Sequence, residues 1–105
     1  MSLKGAQKKE LRAIGHSLNP VVLVSDDGLS AGVIKEAERA LEDHELIKVR
    51  FVVGERDERA ELIEQLANKL GAEVVQVIGK IGLYYRPARK PNPKLSNILR
   101  NSLDQ

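Results

Sequence analysis

Val75-Gln76-Val77-Ile78-Gly79-Lys80-Ile81-Gly82-Leu83-Tyr84-Tyr85-Arg86-Pro87 sets two short runs of strand formers around a loop with a glycine at each end. A loop of this size closes a β-hairpin, because glycine reaches the φ > 0 conformations that tight turns need. The same composition suits a phosphate backbone. Missing Cβ atoms open the main-chain N–H groups to a ligand, and Lys80 adds positive charge. A four-residue Gly-x-x-Gly is a weak motif, so both readings stay open on the stretch alone.

The rest of the chain narrows the choice. Its 105 residues make one domain with a single core. It has no cysteine, which excludes disulfides and thiolate metal sites and fits a reducing compartment. No apolar run approaches a membrane span and the start has no signal-peptide core, so a cytoplasmic protein without membrane attachment is expected. The net charge of +2 conceals a pattern. Residues 1–25 hold Lys4, Lys8, Lys9 and Arg12 against Glu10, or +3. Residues 26–78 hold seven bases and thirteen acids, or −6. Residues 79–105 hold Lys80, Arg86, Arg89, Lys90, Lys94 and Arg100 against Asp104, or +5. If the two basic ends meet beside the glycine loop, one side of the molecule carries a positive field.

Hydrophobic spacing assigns the elements. Leu3, Leu11, Ile14 and Leu18 lie on one helical stripe over residues 3–16. Ser2 is a candidate cap, Gly15 marks the end, and Lys4, Lys8 and Arg12 stack at i, i+4. Asn19-Pro20 breaks this helix, and Val21-Val22-Leu23-Val24 reads as a buried parallel strand. Asp26-Asp27-Gly28 is turn chemistry, with no third ligand nearby to suggest a metal. A second helix covers 30–44, capped by Ser30, with Val33, Ile34, Ala37, Ala40 and Leu41 inward. His16 and His44 have no nucleophile or paired acid beside them and read as structural. In Leu46–Val53, Ile47, Val49, Phe51 and Val53 face one way and Lys48 and Arg50 the other. Two cations on one face of an internal strand imply a sheet face without apolar cover. A third helix runs from an Asp57 cap to Leu70, stopped by Gly71, and Glu58, Glu61 and Glu64 make its outer side acidic.

The order is α-β-α-β-α-β-β, which predicts a two-layer α/β fold. Right-handed crossovers place the second and third helices on one face of a mixed four-stranded sheet, with the last strand antiparallel. The glycine loop then leaves the sheet at the carboxyl ends of the parallel strands, where α/β folds bind ligands. Residues 1–87 form the domain. From Ala88 to Gln105 the chain is a basic, proline-containing tail in which Leu95, Ile98, Leu99 and Leu103 could add a short helix.

Asn19-Pro20-Val21-Val22-Leu23-Val24, Asp27-Gly28-Leu29-Ser30, His44-Glu45-Leu46-Ile47-Lys48-Val49 and Val77 to Pro87 together resemble the CRM (chloroplast RNA splicing and ribosome maturation) domain. The likeness is greatest to its free-standing bacterial YhbY-type members. It implies a fold similar to the C-terminal domain of translation initiation factor three, with the fourth strand inserted between the second and third. It also implies RNA binding and association with ribosomal RNA in precursors of the large ribosomal subunit. The family's Gly-x-x-Gly loop falls on Gly79-Lys80-Ile81-Gly82; the basic first helix and the Lys48 strand also match.

The expectation is therefore a non-catalytic, monomeric RNA-binding protein with no cofactor, metal or small-molecule substrate. Gly79, Lys80, Ile81 and Gly82 form the loop contact, extended by Lys8, Lys9, Arg12, Lys48, Arg50, Arg86, Arg89 and Lys90. Tyr84 and Tyr85 must face opposite sides of one strand, which leaves no aromatic platform for bases. The alternative is a module that joins pre-ribosomal particles through ribosomal proteins, using the acidic sides of the second and third helices. Nothing in the sequence forms a catalytic grouping or a Walker loop.

Overall fold

The computed structural model describes residues 3–103. Eight elements follow one another: α1 (Gly5–Gly15), β1 (Pro20–Val24), α2 (Ala31–His44), β2 (Leu46–Phe51), α3 (Arg56–Leu70), β3 (Glu73–Ile78), β4 (Ile81–Tyr85) and α4 (Asn97–Leu103). Local chemistry fixes most boundaries. Lys4 is the N-cap of α1, its N–H donating to Gln7 Oε1 at 3.0 Å; the expected cap Ser2 lies outside the described residues. Ser30 Oγ accepts from the Val33 N–H at 3.2 Å and caps α2. Helix α3 begins two residues earlier than expected, with Glu55 rather than Asp57 as N-cap. Asp57 and Glu58 then sit in its first turn, where the helix dipole favours acid. Gly71 ends that helix at φ 63°, in the left-handed region that costs glycine nothing.

The strands lie in the order β1-β2-β4-β3. Strands β1 and β2 are parallel, and β4 runs antiparallel to both of its neighbours. The last strand is thus inserted between β2 and β3, and the β3–β4 turn leaves the sheet at the carboxyl ends of the parallel strands. On one face Val22, Val24, Ile47, Val49, Phe51 and Tyr84 pack against Ala37 and Leu41 of α2 and Ile63, Leu66 and Leu70 of α3. Burying each of the larger side chains stabilises the fold by about 1.5–3 kcal/mol. The Tyr84 hydroxyl, inside this core, donates to the Ile63 carbonyl at 2.9 Å.

The opposite face corrects the expectation that it carries no apolar cover. Leu11 of α1 packs with Leu46, Val75 and Leu83, and Leu3, Ile14, Leu18, Tyr85 and Ile98 surround them. Half of this face therefore carries a third layer made by α1 and the start of α4. A bulge between Val74 and Gln76 turns Val75 toward this second cluster. Only the half nearest the β3–β4 turn stays open.

The stretch after Pro87 is tied to the domain through Glu45. This residue is buried and holds a positive φ of 64° although it is not glycine. Its carboxylate accepts from the Ser96 hydroxyl at 2.7 Å and the Ala88 N–H at 2.8 Å, and its carbonyl accepts from the Arg86 N–H at 2.9 Å. Three hydrogen bonds offset a sparsely populated positive-φ conformation that costs roughly 1–3 kcal/mol. His44 Nδ1 donates to the Leu95 carbonyl at 2.9 Å, and Asn97 Nδ2 to the Leu46 carbonyl at 2.7 Å. Ser96 Oγ also accepts from the Ile98 and Leu99 N–H groups at 3.2 Å, which starts α4.

Candidate nucleic-acid interface

The hairpin turn is tighter than the spacing of its glycines implies. Ile78 pairs with Ile81, so only Gly79 and Lys80 lie between the strands. Gly79 has φ 56° and Lys80 is not among the residues with positive φ, the pattern of a type II′ turn with glycine first. The Phe51 N–H donates to the Lys80 carbonyl at 2.7 Å, which fastens the turn to the end of β2. Ile81 and Gly82 belong to β4. The two glycines consequently do different things. Nothing lies within 4 Å of a Cβ built on Gly79, so its backbone is open to a ligand. A Cβ on Gly82 would stand 3.0 Å from the Tyr84 ring, and Gly82 itself is buried. Its lack of a side chain makes room for Tyr84, so the two glycines expected to form one loop contact stand in different surroundings, one open and one packed against the core.

Beside the turn lies the open half of the sheet. Pairing aligns Leu23 with Arg50, Arg50 with Ile81, and Ile81 with Ile78, which makes one row across all four strands. Leu23 is 54 % exposed, Ile78 is 63 % exposed and Arg50 is exposed. The next row holds Lys48, Leu83 and Gln76. Lys48 is half-buried and donates one N–H to the Leu18 carbonyl at 3.0 Å, so its ammonium sits between α1 and the sheet. Helix α1 lies on this same face. Lys8 and Arg12, both half-buried, border its packed stripe, whereas Lys9 is exposed on the solvent side. Lys8, Arg12, Lys48 and Arg50 therefore share one face of the molecule, and Lys80 stands at the edge of it.

Arg86, Arg89 and Lys90 do not join them. Tyr85 pairs with Leu46 and Glu73, the first residues of β2 and β3, so Arg86 leaves β4 at the opposite end of the sheet from the turn. At roughly 3.4 Å per residue, Lys80 and Arg86 are separated by about 20 Å. The Arg86 guanidinium donates to Glu38 Oε2 and to the Leu70 carbonyl, both at 2.8 Å, and lies 3.7 Å from Glu42 Oε2. It closes the C-terminal ends of α2 and α3 against β4. The Arg89 N–H donates to Glu42 Oε1 at 3.0 Å, and Lys90 follows it. The expected convergence of the two basic ends is corrected accordingly: the acids of α2 recruit Arg86 and the backbone of Arg89 to their own side.

Two groups near the turn escape sequence reasoning. Arg56 and Arg59 of α3, with Ala60, Ile63, Glu64, Val77 and Gly79, line a cleft of about 450 Å³ on the other side of the turn. Reading α3 as an acidic surface missed that Arg56 and Arg59 stand among the acids at its N-terminal end. Arg59 Nη1 also donates to the Gly54 carbonyl at 3.2 Å. The second missed group is the aliphatic row. Its signal was present in Leu23 and Ile78, which fall on the same alternation as Arg50. Of the tyrosines, Tyr84 is buried, and burial and then the Glu64 carboxylate push its phenol well above the ordinary range. Tyr85 is half-buried, its phenol also pushed up by burial and by Glu45. Neither offers a free ring face beside the turn.

The chain can now be set beside known proteins. The CRS1/YhbY (CRM) domain profile matches residues 3–86. A probable RNA-binding protein of Pseudomonas aeruginosa is 50 % identical over 100 residues, covering 95 % of this chain and 96 % of that one. An RNA-binding protein of Haemophilus influenzae is 38 % identical over 94 residues, covering 90 % and 95 %. The solution structure of a Staphylococcus aureus protein superimposes with a TM-score of 0.74 at 35 % identity, covering 85 % of this chain and 93 % of that one. Matched from α1 through β4, with the inserted antiparallel strand in place, the chain belongs to the CRS1/YhbY (CRM) domain family.

Proposed function

We propose that this protein is a non-catalytic RNA-binding module whose contact surface is the Gly79–Lys80 turn together with the cationic face formed by α1 and β2. One observation carries the reading: the Phe51–Lys80 hydrogen bond holds the open turn alongside Arg50. A phosphate seated against the Gly79 backbone then has Lys80 and Arg50 within reach, and neighbouring phosphates meet Lys48, Arg12 and Lys8. Such a surface recognises the charge and path of a backbone. Its affinity falls steeply with salt, with a slope of about −0.7 per phosphate contacted on a single strand. Relatives that bear the name RNA-binding protein over almost their whole length support the same reading.

Family membership directs the choice of RNA toward precursors of the large ribosomal subunit. Crosslinking in cells followed by sequencing of the attached RNA tests this, and reads spread evenly over messenger and transfer RNA would overturn it. The surface itself is tested by filter binding at two salt concentrations. Lys48→Glu, Arg50→Glu and Lys80→Glu should each weaken binding and flatten the salt slope, whereas Arg89→Glu and Lys90→Glu should do neither. Equal losses from both sets would remove the turn from the mechanism.

A protein-docking reading draws on the exposed Glu36, Glu58, Glu61 and Glu64 of α2 and α3. These acids suit a basic ribosomal protein. Binding to protein-containing particles with none to naked ribosomal RNA would favour it.

A further inference from the structure

We infer that the uncovered row Leu23–Arg50–Ile81–Ile78 holds unpaired bases of the bound RNA, so that the protein prefers single strands to duplex. This inference rests on the RNA-binding reading above. A backbone-binding surface has no use for aliphatic side chains in water, yet Leu23 and Ile78 are more than half exposed at the two ends of this row. Ile81 lies between them, and the turn that would receive a phosphate adjoins it. Strand spacing of about 4.8 Å makes the row about 14 Å long, enough for a short run of unstacked bases.

The chemistry around the row fits a base better than a protein. Arg50 stands within it and can lay its guanidinium plane on a base face. Behind it, Lys48, Gln76, Ile78, Ile81 and Leu83 line a dent of about 100 Å³. Gln76 offers both a donor and an acceptor to a base edge, and Lys48 offers donors alone. A strip one side chain wide is far smaller than the roughly 800 Å² that a stable protein interface takes from each partner. A duplex keeps its bases stacked and paired, and it cannot press them onto a sheet face. Only a strand with open bases can use the row and the turn together.

The test compares an unstructured uridine oligomer with a perfect RNA duplex of equal length, using the whole chain. Leu23→Ser and Ile78→Ser, made together, should lower the ratio of single-strand to duplex affinity about tenfold, equivalent to about 1.4 kcal/mol. Both positions are exposed, and circular dichroism confirms that the variant is folded. In the wild-type protein, the methyl signals of Leu23, Ile78 and Ile81 should shift with the oligomer and stay unmoved by the duplex. An unchanged ratio, or equal methyl shifts with both RNAs, overturns the inference. Loss of a protein partner by a serine variant that retains its RNA ratio also overturns it and assigns the row to protein docking. If Lys48→Glu with Arg50→Glu leaves all RNA affinity intact, the RNA-binding reading itself falls and takes this inference with it. If that variant loses binding while the serine variant keeps its ratio, only the base contact is refuted.

Discussion

Gly79 and Gly82 look equivalent in sequence, and the structure separates them by mechanism. Alanine at each position makes that separation measurable. At Gly82 the added methyl would stand 3.0 Å from Tyr84 Cε1 and 3.5 Å from its Cζ and hydroxyl. The Tyr84 ring cannot swing aside, because it is fully buried and its hydroxyl is bonded to the Ile63 carbonyl. Overpacking of this kind costs about 1–3 kcal/mol. In a chain of this length each kcal/mol lowers Tm by about 4–5 °C, so Gly82→Ala should melt roughly 5–14 °C below wild type. At Gly79 the methyl meets nothing, and the cost is the left-handed conformation at φ 56°, about 1–2 kcal/mol.

Stability alone therefore does not distinguish the two variants well, but RNA affinity does. Measured below both melting points, Gly82→Ala should bind RNA as wild type does, since its change faces the α2–α3 side. Gly79→Ala should bind several-fold more weakly, because its methyl would occupy the open space that the proposed phosphate contact requires. Thermal melts by circular dichroism, read beside filter binding at fixed salt, make the comparison. A folded Gly82→Ala that loses as much affinity as Gly79→Ala would refute the division of labour. Aspartate at Gly82 is a poor probe, for it would set an unpaired carboxylate against the core.

Three further outcomes are expected. Arg86→Met should lower stability by about 1.5–3 kcal/mol in denaturant titration, through loss of hydrogen bonds to Glu38 and the Leu70 carbonyl, while folded protein keeps its RNA affinity. Glu45→Ala leaves the Ser96 hydroxyl and the Ala88 N–H without their acceptor, at a cost of about 1–3 kcal/mol. Amide exchange should then accelerate at Ala88 and Ser96 while Phe51 stays protected. Tyr84, whose phenol is raised in the fold by burial and Glu64, keeps its proton in the native state where the unfolded chain has lost it. Its contribution to stability is complete below the unfolded value near 10 and declines above it, by about 1.4 kcal/mol per pH unit. Tyr84→Phe removes that dependence. The stability gap between wild type and Tyr84→Phe should narrow above pH 10 in urea titrations; a constant gap would contradict it.

The parts of the fold legible in the sequence are those set by local periodicity and turn chemistry. Ser30, Gly71 and the alternation of Ile47, Val49 and Phe51 each announce their structure within a few residues. The third layer was harder to read. Leu11, Ile14 and Leu18 show that α1 has a buried side, but not which side of the sheet receives it. That was decided by Leu46 and Leu83, whose alternation on β2 and β4 points away from α2 and α3. Lys48 and Arg50 on the same alternation suggested a bare face, and it is bare only beyond the end of α1.

Charge was the least legible feature, for a physical reason. A cation's sign is written in the sequence, but whether it serves a ligand or the fold depends on which acids reach it. Arg86 and Lys80 lie six positions apart on one hairpin, and a charge count treats them alike. Once β4 runs antiparallel between β2 and β3, they must emerge at opposite ends of the sheet. One end lies among the carboxylates of α2 and the carbonyls ending α3, and there Arg86 is consumed by four oxygens. The other end has a turn with no acid of its own, and the ion pairs among the described residues leave out Lys80 and Arg50. The acidic middle of the sequence thus sorts the basic residues. Cations on the α2 side become part of the scaffold, and those on the α1 side are the ones on which the proposed contact surface rests.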